Sequence, residues 1–170
     1  MPITIEPLGK QHDRGGFSCG QAALDDWFRR RAGQDERRDV ARVFVAIDRE
    51  LGVVGFYSLA AYALSLADLP PDIAKKLPRY DAIPAALIGR LARDVRMRGQ
   101  KMGELLLADA IRRVLAANVS LAVFAIVVDT KDQPARDFYS GFGFAPFPSR
   151  PNRLFLMTST ALAGLERSAE

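Results

Sequence analysis

The hydrophobic positions of this 170-residue chain recur at helical spacing in three segments. Residues 21–32 place apolar side chains at i, i+3 and i+4, and the segment from Met102 onward fills a contiguous apolar arc. The apolar positions are Leu24, Trp27 and Phe28 in the first segment and Leu106, Leu107, Ala110, Ile111, Val114 and Leu115 in the second. A third helix is predicted from Pro134 to Gly141, because a first helical turn tolerates proline. The wide arc of the second segment predicts a helix that packs against a sheet.

Six other segments have the pattern of β-strands. Residues 121–128 form an unbroken run rich in β-branched side chains, as expected of a strand buried on both faces. The remaining strands are predicted at residues 3–5, 42–47, 53–59, 85–95 and 153–158. A short turn joins the second and third of these, which predicts a hairpin. Residues 65–84 contain four of the ten prolines and predict a loop with at most a short helix, around residues 72–76.

This mixture of helices and strands predicts the α/β (α+β) class in a single domain that spans residues 1–170. Hydrophobic residues make up 49% of the chain and charged residues 26%, which excludes wholesale disorder and a collagen-like repeat. No apolar run is long enough to cross a bilayer, and the N-terminal residues lack a signal-peptide pattern. We therefore expect a cytoplasmic protein without membrane contact.

The chain has one cysteine and one histidine, which limits the sites that it can build. Cys19 alone excludes an internal disulfide, and we expect it to be a small structural residue. His12 alone leaves a zinc site almost without ligands, so no metal is expected, and we expect this side chain to be exposed.

The distribution of charge is more informative than the net charge of +4. Nineteen of the 24 basic residues are arginine, and more than half of these fall into two clusters. The first cluster consists of Arg29, Arg30, Arg31, Arg37, Arg38 and Arg42, and the second of Arg90, Arg93, Arg96, Arg98 and Lys101. Because the planar guanidinium group matches phosphate geometry, the clusters predict a polyanionic partner, either a nucleotide or a nucleic acid. A solvated basic surface is the alternative, since the net charge is small.

The second cluster includes a glycine-containing turn between a predicted strand and the helix that starts near Met102. Its sequence is Arg98-Gly99-Gln100-Lys101-Met102-Gly103. Free N–H groups at a helix start favour an anion, and glycine lets the backbone approach a diphosphate closely. The turn resembles the acyl-CoA signature of the GNAT acetyltransferase superfamily, Arg/Gln-x-x-Gly-x-Gly/Ala. Lys101 stands where that signature usually has its middle glycine.

A second motif, at residues 132–144, supports the same resemblance. It is similar to the superfamily's late motif, Asn-x-x-Ala-x-x-Phe-Tyr-x-x-x-Gly-Phe, with Asp132 in place of the usual asparagine. The positions that agree are Ala135, Phe138, Tyr139, Gly143 and Phe144. The spacing between the two motifs suits one helix and one strand.

Further segments narrow the resemblance to the GNAT toxins of bacterial toxin–antitoxin pairs. They are Phe17-Ser18-Cys19-Gly20, Leu24-Asp25-x-Trp27, Gly55-Phe56-Tyr57-Ser58-Leu59-Ala60, Leu77-Pro78-Arg79-Tyr80 and Ile88-Gly89-Arg90-Leu91-Ala92. These toxins acetylate the amino group of aminoacyl-tRNA and stop translation. The resemblance covers nearly the whole chain, and it implies a mixed, mostly antiparallel central sheet flanked by helices, with splayed strands at the acetyl-CoA site.

The resemblance also implies a mechanism and partners. Acetyl-CoA is the expected co-substrate, transfer to the amine is direct, and Tyr139 is the expected catalytic general acid. The residues expected to bind acetyl-CoA are Leu91, Ala92, Arg93, Arg98, Gly99, Gln100, Lys101, Met102, Gly103 and Asp132. The candidates for tRNA contact are Arg29, Arg30, Arg37, Arg38, Arg79 and Tyr80. A ribbon-helix-helix antitoxin is the expected protein partner, and a homodimer is an open alternative for the oligomeric state.

Several alternatives stay open at this point. The acceptor could instead be a small amine or a protein N-terminus, and the substitutions at Arg93 and Lys101 make a non-enzymatic binding module conceivable. Trp27 and Phe28 are expected to anchor the core, whereas Tyr57 and Tyr80 either line the acceptor cleft or simply pack. The carboxylates that could act as general base are Asp94, Glu104 and Asp109, for which helix-start or solvated roles are the alternative.

Overall fold

The computed structural model describes residues 2–169, which form seven strands and six α-helices. In chain order they are β1 (Ile3–Pro7), α1 (Ala22–Arg30), α2 (Ala32–Arg37), β2 (Arg42–Asp48), β3 (Gly52–Leu64), α3 (Pro71–Ala74), β4 (Ile83–Arg93), α4 (Met102–Ala117), β5 (Ala125–Asp129), α5 (Gln133–Ser140), β6 (Ala145–Phe147), β7 (Arg150–Met157) and α6 (Thr158–Ala169). Short 3₁₀ turns occupy Leu66–Asp68 and Val95–Met97.

All seven strands belong to one sheet, in the order β1-β2-β3-β4-β5-β7-β6. The pairs β1·β2, β2·β3, β5·β7 and β6·β7 are antiparallel. The predicted fold class, a mixed and mostly antiparallel sheet flanked by helices, is therefore confirmed. None of the helices formed by residues 2–169 is both long and apolar enough to span a membrane.

The chain divides into two compact units. The first unit runs to Ala60 and includes Ile88–Ala110, and the second consists of Ala61–Leu87 and the chain from Ile111 onward. The first unit holds the turn between β4 and α4 and the first arginine cluster. The second unit holds α5 with Tyr139. Each unit has a hydrophobic core of its own.

The core of the first unit is a stack of aromatic rings on β3. Phe28 lies parallel to Phe56, with 4.1 Å between ring centroids, and Phe17 packs edge-on against both rings. Trp27 stacks on the same Phe56 at 5.9 Å. Helical spacing puts Trp27 and Phe28 on the inner face of α1, where both are buried. Their predicted role as core anchors is confirmed.

The core of the second unit lies between β5 and the strands beside it. Residues Ala125–Val128 of β5 are fully buried, as predicted for a strand covered on both faces. Phe147 and Phe155 fill the space on the β7 side, with ring centroids 4.9 Å apart. The predicted start of this strand is wrong, however. Leu121 is 71% exposed, and Asn118 Oδ1 accepts a hydrogen bond from Val123 N–H at 2.8 Å, which holds residues 118–124 in a turn.

The C-terminal part of the chain differs most from the prediction. β7 begins at Arg150, three residues before its predicted start, and the short strand β6 and the helix α6 were not predicted. α6 begins at Thr158, whose hydroxyl donates to Val123 O at 2.5 Å and whose N–H donates to Phe124 O at 2.9 Å. A tertiary contact therefore fixes the start of this helix, in a segment, Thr158-Ser159-Thr160, whose residue types favour a helix N-terminus.

The predicted exposure of His12 is also wrong. Its side chain is only 5% exposed, because two local partners compensate for its burial. Nδ1 accepts the Gly9 N–H at 2.9 Å, and Nε2 lies 2.6 Å from Glu6 Oε1. The polar residues of this lead-in segment supply the histidine with hydrogen bonds and do not leave it in solvent.

The aromatic stack predicts which substitution should destabilise the first unit most. Phe28→Ala removes a fully buried ring that contacts Phe17 and Phe56, and should lower the free energy of unfolding by about 3–5 kcal/mol. Leu105→Ala, at a 38% exposed position of α4, should cost less than about 1 kcal/mol. Urea denaturation of both variants measures the difference, and equal losses would contradict this account of the core.

Candidate functional site

The turn between β4 and α4 contains two residues with left-handed backbone. Gly99 has φ +78° and Lys101 has φ +56°, immediately before α4 begins at Met102. Glycine adopts this region freely, whereas a residue with a Cβ pays a conformational cost. Lys101 therefore keeps the backbone conformation that a glycine would give at this position of the signature.

The carboxylate of Asp94 anchors this turn. The side chain is 1% exposed and accepts hydrogen bonds from the backbone N–H groups of Arg96 (2.9 Å) and Ser18 (3.2 Å). The Arg96 guanidinium adds two more, both at 2.9 Å. Burial by itself would raise the pKa of Asp94, but these hydrogen bonds outweigh it and the pKa lies below the ordinary value. The predicted helix-start role of Asp94 is confirmed, because it caps the Val95–Met97 turn.

The surface of the turn is exposed and basic, as the binding of an anionic group requires. Arg98, Gly99, Gln100 and Lys101 are all exposed. The first N–H groups of α4 have no partner within the helix, and the helix dipole is positive at this end. Met102 is 2% exposed, so only its backbone can reach a ligand.

The end of β4 places the other predicted cofactor residues beside this turn. Leu91 and Arg93 are half-buried, and Ala92 is 7% exposed. Two basic residues of the second cluster, Arg90 and Arg96, contact side chains of the first unit. Arg90 lies over the Trp27 ring with its guanidinium carbon 4.0 Å from the centroid, and burial lowers its pKa. Since Arg96 pairs with Asp94, only Arg93, Arg98 and Lys101 of the second cluster remain for a ligand.

The two other candidate bases, Asp109 and Glu104, differ in the hydrogen bonds that their carboxylate oxygens make. Asp109 Oδ2 accepts a hydrogen bond from the hydroxyl of Tyr57 at 2.5 Å. Tyr57 is completely buried and stacks on Phe44, so the packing alternative is the correct one for this tyrosine. In Glu104, by contrast, Oε2 is buried without a hydrogen-bond partner among the described residues. Glu104 is therefore the candidate base with an uncommitted oxygen.

Tyr139 is held in an apolar environment on α5. The helix begins as predicted: Asp132 is its N-cap and accepts the Ala135 N–H at 2.9 Å, and a proline stands in the first turn. The rings of Phe138 and Phe144 lie 5.2 and 5.4 Å from that of Tyr139, which is 9% exposed. Burial raises the pKa of Tyr139 to about 12, so the phenol carries its proton throughout the physiological range.

The arginines of the first cluster are exposed, but some of them are bonded to other groups of the protein. Arg30 pairs with Asp26 at 3.1 Å, and Arg42 pairs with both Glu36 (2.9 Å) and Asp39 (2.7 Å). Arg29 donates a hydrogen bond to the carbonyl of Phe17. Arg37 and Arg38 are exposed at the C-terminal end of α2.

Arg79 and Tyr80 lie in the second unit. Both are exposed, Tyr80 to 66%. Arg79 lines an open groove of about 420 Å³ together with Lys75 and the apolar residues around Leu66 and Pro71. Contact of this pair with tRNA stays a prediction. Within the described residues no group of three or more His, Cys, Asp or Glu side chains is arranged to hold a metal ion.

Comparison with known proteins identifies the family. The chain is 36% identical over 165 residues to the probable toxin TacT of Sinorhizobium fredii, covering 92% of this chain and 91% of that protein. It is 38% identical over 151 residues to the tRNA-acetylating toxin of Mycobacterium tuberculosis, covering 89% of both. The chain belongs to the GNAT-type family of tRNA-acetylating toxins. No family model matches it.

Solved structures of related toxins agree with this family. AtaT in complex with acetyl-methionyl-tRNAfMet superposes with a TM-score of 0.89 at 29% identity, covering 96% of this chain and 99% of that one. AtaTR bound with acetyl-CoA gives 0.83 at 28% identity, covering 96% and 98%. AtaT carrying a tyrosine-to-phenylalanine change, bound to the C-terminus of the antitoxin AtaR, gives 0.79 at 26% identity, covering 95% and 96%. The predicted resemblance to GNAT toxins is confirmed.

The buried Asp94 carboxylate predicts an acid-sensitive stability of this family member. Because its pKa is lowered by folding, the stabilisation is fully present above the ordinary aspartate pKa of about 4 and is lost as the pH falls through the lower folded value. Asp94→Asn replaces an acceptor of the Arg96 guanidinium by an amide and should cost about 2 kcal/mol at pH 7. Urea denaturation at pH 7 and pH 3 should show the difference from the unsubstituted protein shrinking in acid. A difference that is independent of pH would contradict it.

The left-handed residues of the turn predict stability changes of opposite sign. Gly99→Ala adds a Cβ that meets no atom within 4 Å, so its cost of about 1–2 kcal/mol comes from the backbone alone. Lys101→Gly removes such a cost and should stabilise the protein by up to about 1 kcal/mol, since added freedom of the unfolded chain offsets part of the gain. Thermal unfolding checks both changes, and a destabilising Lys101→Gly would show that the lysine side chain holds the turn.

Proposed function

We propose that this chain is an acetyl-CoA-dependent N-acetyltransferase that acetylates the α-amino group of aminoacyl-tRNA and so blocks translation. The observation that carries the proposal is the match of 96% of the chain to AtaT in complex with acetyl-methionyl-tRNAfMet. The left-handed backbone at Lys101 supports it, since glycine, the usual residue at this position of the signature, adopts this conformation freely.

Acetyl-CoA would be bound mainly by backbone groups and by charge. The backbone of Leu91, Ala92 and Arg93 at the end of β4 would hydrogen-bond the pantetheine arm and hold the thioester carbonyl through an N–H donor. The turn from Arg98 to Gly103 would hold the diphosphate, with Lys101 contributing charge. Asp132, the N-cap of α5, stays a predicted cofactor residue.

The transfer itself requires no nucleophilic side chain. The neutral amine nitrogen attacks the thioester carbonyl carbon, a C–N bond forms and the C–S bond breaks. Tyr139 would donate its proton to the departing sulfur, and the amine would release a proton to water or to a base such as Glu104. Burial raises the pKa of Cys19, which is the opposite of what an activated thiolate nucleophile needs.

Exposed basic residues, together with Tyr80, would bind the tRNA. Arg37, Arg38, Arg79 and Tyr80 have their side chains exposed for this role. Arg29 and Arg30 would contribute less, because one is bonded to a backbone carbonyl and the other to a carboxylate. The cytoplasm is the compartment that we propose, with a ribbon-helix-helix antitoxin as protein partner. A homodimer stays an alternative for the oligomeric state.

Tyr139→Phe tests the general-acid role. A proton donor of this kind contributes roughly 100-fold to 10,000-fold in rate, so kcat for transfer of labelled acetyl groups to aminoacyl-tRNA should fall by about 100-fold or more. The dissociation constant for acetyl-CoA should stay within about twofold, because phenylalanine preserves the buried ring. Calorimetry provides that control, and an unchanged kcat would remove Tyr139 from the mechanism.

The acceptor is tested separately by offering labelled acetyl-CoA with aminoacyl-tRNA, deacylated tRNA, a polyamine and a short peptide. We expect label only in aminoacyl-tRNA. Label in the polyamine or the peptide alone would favour a small-amine or N-terminal acetyltransferase. Failure to bind acetyl-CoA at high concentration would favour a binding module without activity.

A further inference from the structure

Two guanidinium groups of the first unit converge on Gly33. A Cβ on this glycine would lie 3.2 Å from Nη1 of Arg37 and 3.5 Å from Nη2 of Arg14. The two like charges therefore share the space above a residue that has no side chain. Arg14 lies outside both arginine clusters that the sequence displays, so its place beside Arg37 is visible only in the fold.

Arg14 is fixed in this position by the helix that it covers. Its Nη1 donates to the carbonyl of Phe28 at 2.7 Å, and its guanidinium carbon lies 5.8 Å from the centre of the Phe28 ring. Burial, followed by the charge of Arg37, lowers the pKa of Arg14. The group is held half-buried in one orientation, with Nη2 directed to the shared space.

Four carboxylates of α1, α2 and the loop that follows α2 are bonded to other partners. Their partners are Arg30 for Asp26, the Trp27 indole for Asp35, and Arg42 for both Glu36 and Asp39. Glu36 also accepts the Val43 N–H at 2.6 Å. Among the described residues no ion pair joins a carboxylate to Arg14 or Arg37. The pair is thus a concentration of positive charge that the protein itself does not neutralise.

We propose that Arg14 and Arg37, facing each other over Gly33, form a binding site for one phosphate group of a nucleic-acid backbone. Two forked donors whose nitrogen atoms lie within 4 Å of one point match the oxygens of a phosphate, and an anion bound to both removes their mutual repulsion. The proposal rests on the proposed function, since tRNA supplies the phosphate. Inorganic phosphate and the phosphates of acetyl-CoA have the same chemistry and are distinguished by the experiments.

Arg37→Ala and Arg30→Ala form a matched pair of variants. Each removes one exposed arginine from the same cluster, but only Arg30 has its own carboxylate partner. Binding of labelled aminoacyl-tRNA is measured by fluorescence anisotropy over a series of salt concentrations. Arg37→Ala should weaken binding roughly threefold to tenfold and reduce the slope of log K against log salt by about 1. Equal effects of the two variants would overturn the proposal.

Gly33→Asp tests the site from the opposite direction. Its carboxylate would stand between the two guanidinium groups as a built-in counterion, and the nearest atom to give way is the flexible end of Arg37. The variant should bind tRNA at least threefold more weakly than Gly33→Asn, which has the same shape without the charge, and should unfold at a higher temperature than Gly33→Asn. Equal tRNA binding by the two variants would overturn the proposal.

Four control measurements separate this inference from the proposed function. If the unsubstituted protein acetylates aminoacyl-tRNA while Arg37→Ala binds tRNA normally, only the phosphate site fails. If the unsubstituted protein acetylates no tRNA, the proposed function fails first. The dissociation constant for acetyl-CoA should be unchanged in Arg37→Ala. Two results would assign the pair to another ligand. One is a 10-fold weakening of tRNA binding by millimolar inorganic phosphate, and the other is a loss of binding in Arg37→Ala that is confined to the antitoxin.

Discussion

The buried carboxylate of Asp94 is the interaction on which the candidate cofactor turn depends. It receives hydrogen bonds from Ser18 and from the backbone and side chain of Arg96, and Val95 N–H in turn donates to Ser18 O at 2.9 Å. The N-terminal lead-in and the end of β4 are therefore tied together in both directions. A turn with two left-handed residues needs such a fixed start, because no regular hydrogen-bond ladder defines its path.

Asp25, like Asp94, has a buried carboxylate that contacts the segment preceding α1. Its buried carboxylate accepts the Cys19 N–H at 2.9 Å and lies 3.4 Å from the Ser18 hydroxyl. Two acidic side chains thus hold residues 18 and 19, one from α1 and one from the end of β4. The resemblance-bearing segments around Ser18 and Asp25 are explained by this shared task, since each supplies a donor or an acceptor to the same network as Asp94.

The sequence predicted the regular elements well where periodicity controls them and poorly where tertiary contacts do. The apolar faces of α1 and α4 follow directly from residue spacing, and Leu106, Leu107 and Ala110 are buried as predicted. The start of β5 was misplaced because Leu121 is as apolar as the strand itself, and hydrophobicity does not reveal a turn held by Asn118. Motif comparison located the turn at Lys101, but only the structure shows that this residue has left-handed backbone. Arg14 carried no signal at all, since its partners Phe28 and Arg37 are distant in sequence.

The first unit contains three features that are locally unfavourable, and at two of them the cost argues for a role in function. Local rules of stability are broken by the left-handed Lys101, by the facing charges of Arg14 and Arg37, and by the left-handed Asp39. Asp39 is compensated inside the protein, because aspartate tolerates this conformation and its carboxylate pairs with Arg42. Neither Lys101 nor the pair of Arg14 and Arg37 has a carboxylate partner among the described residues, and the side chains of Lys101 and Arg37 are exposed to solvent. A fold retains such costs where a ligand offsets them, which supports the anionic ligand proposed at each of the two places.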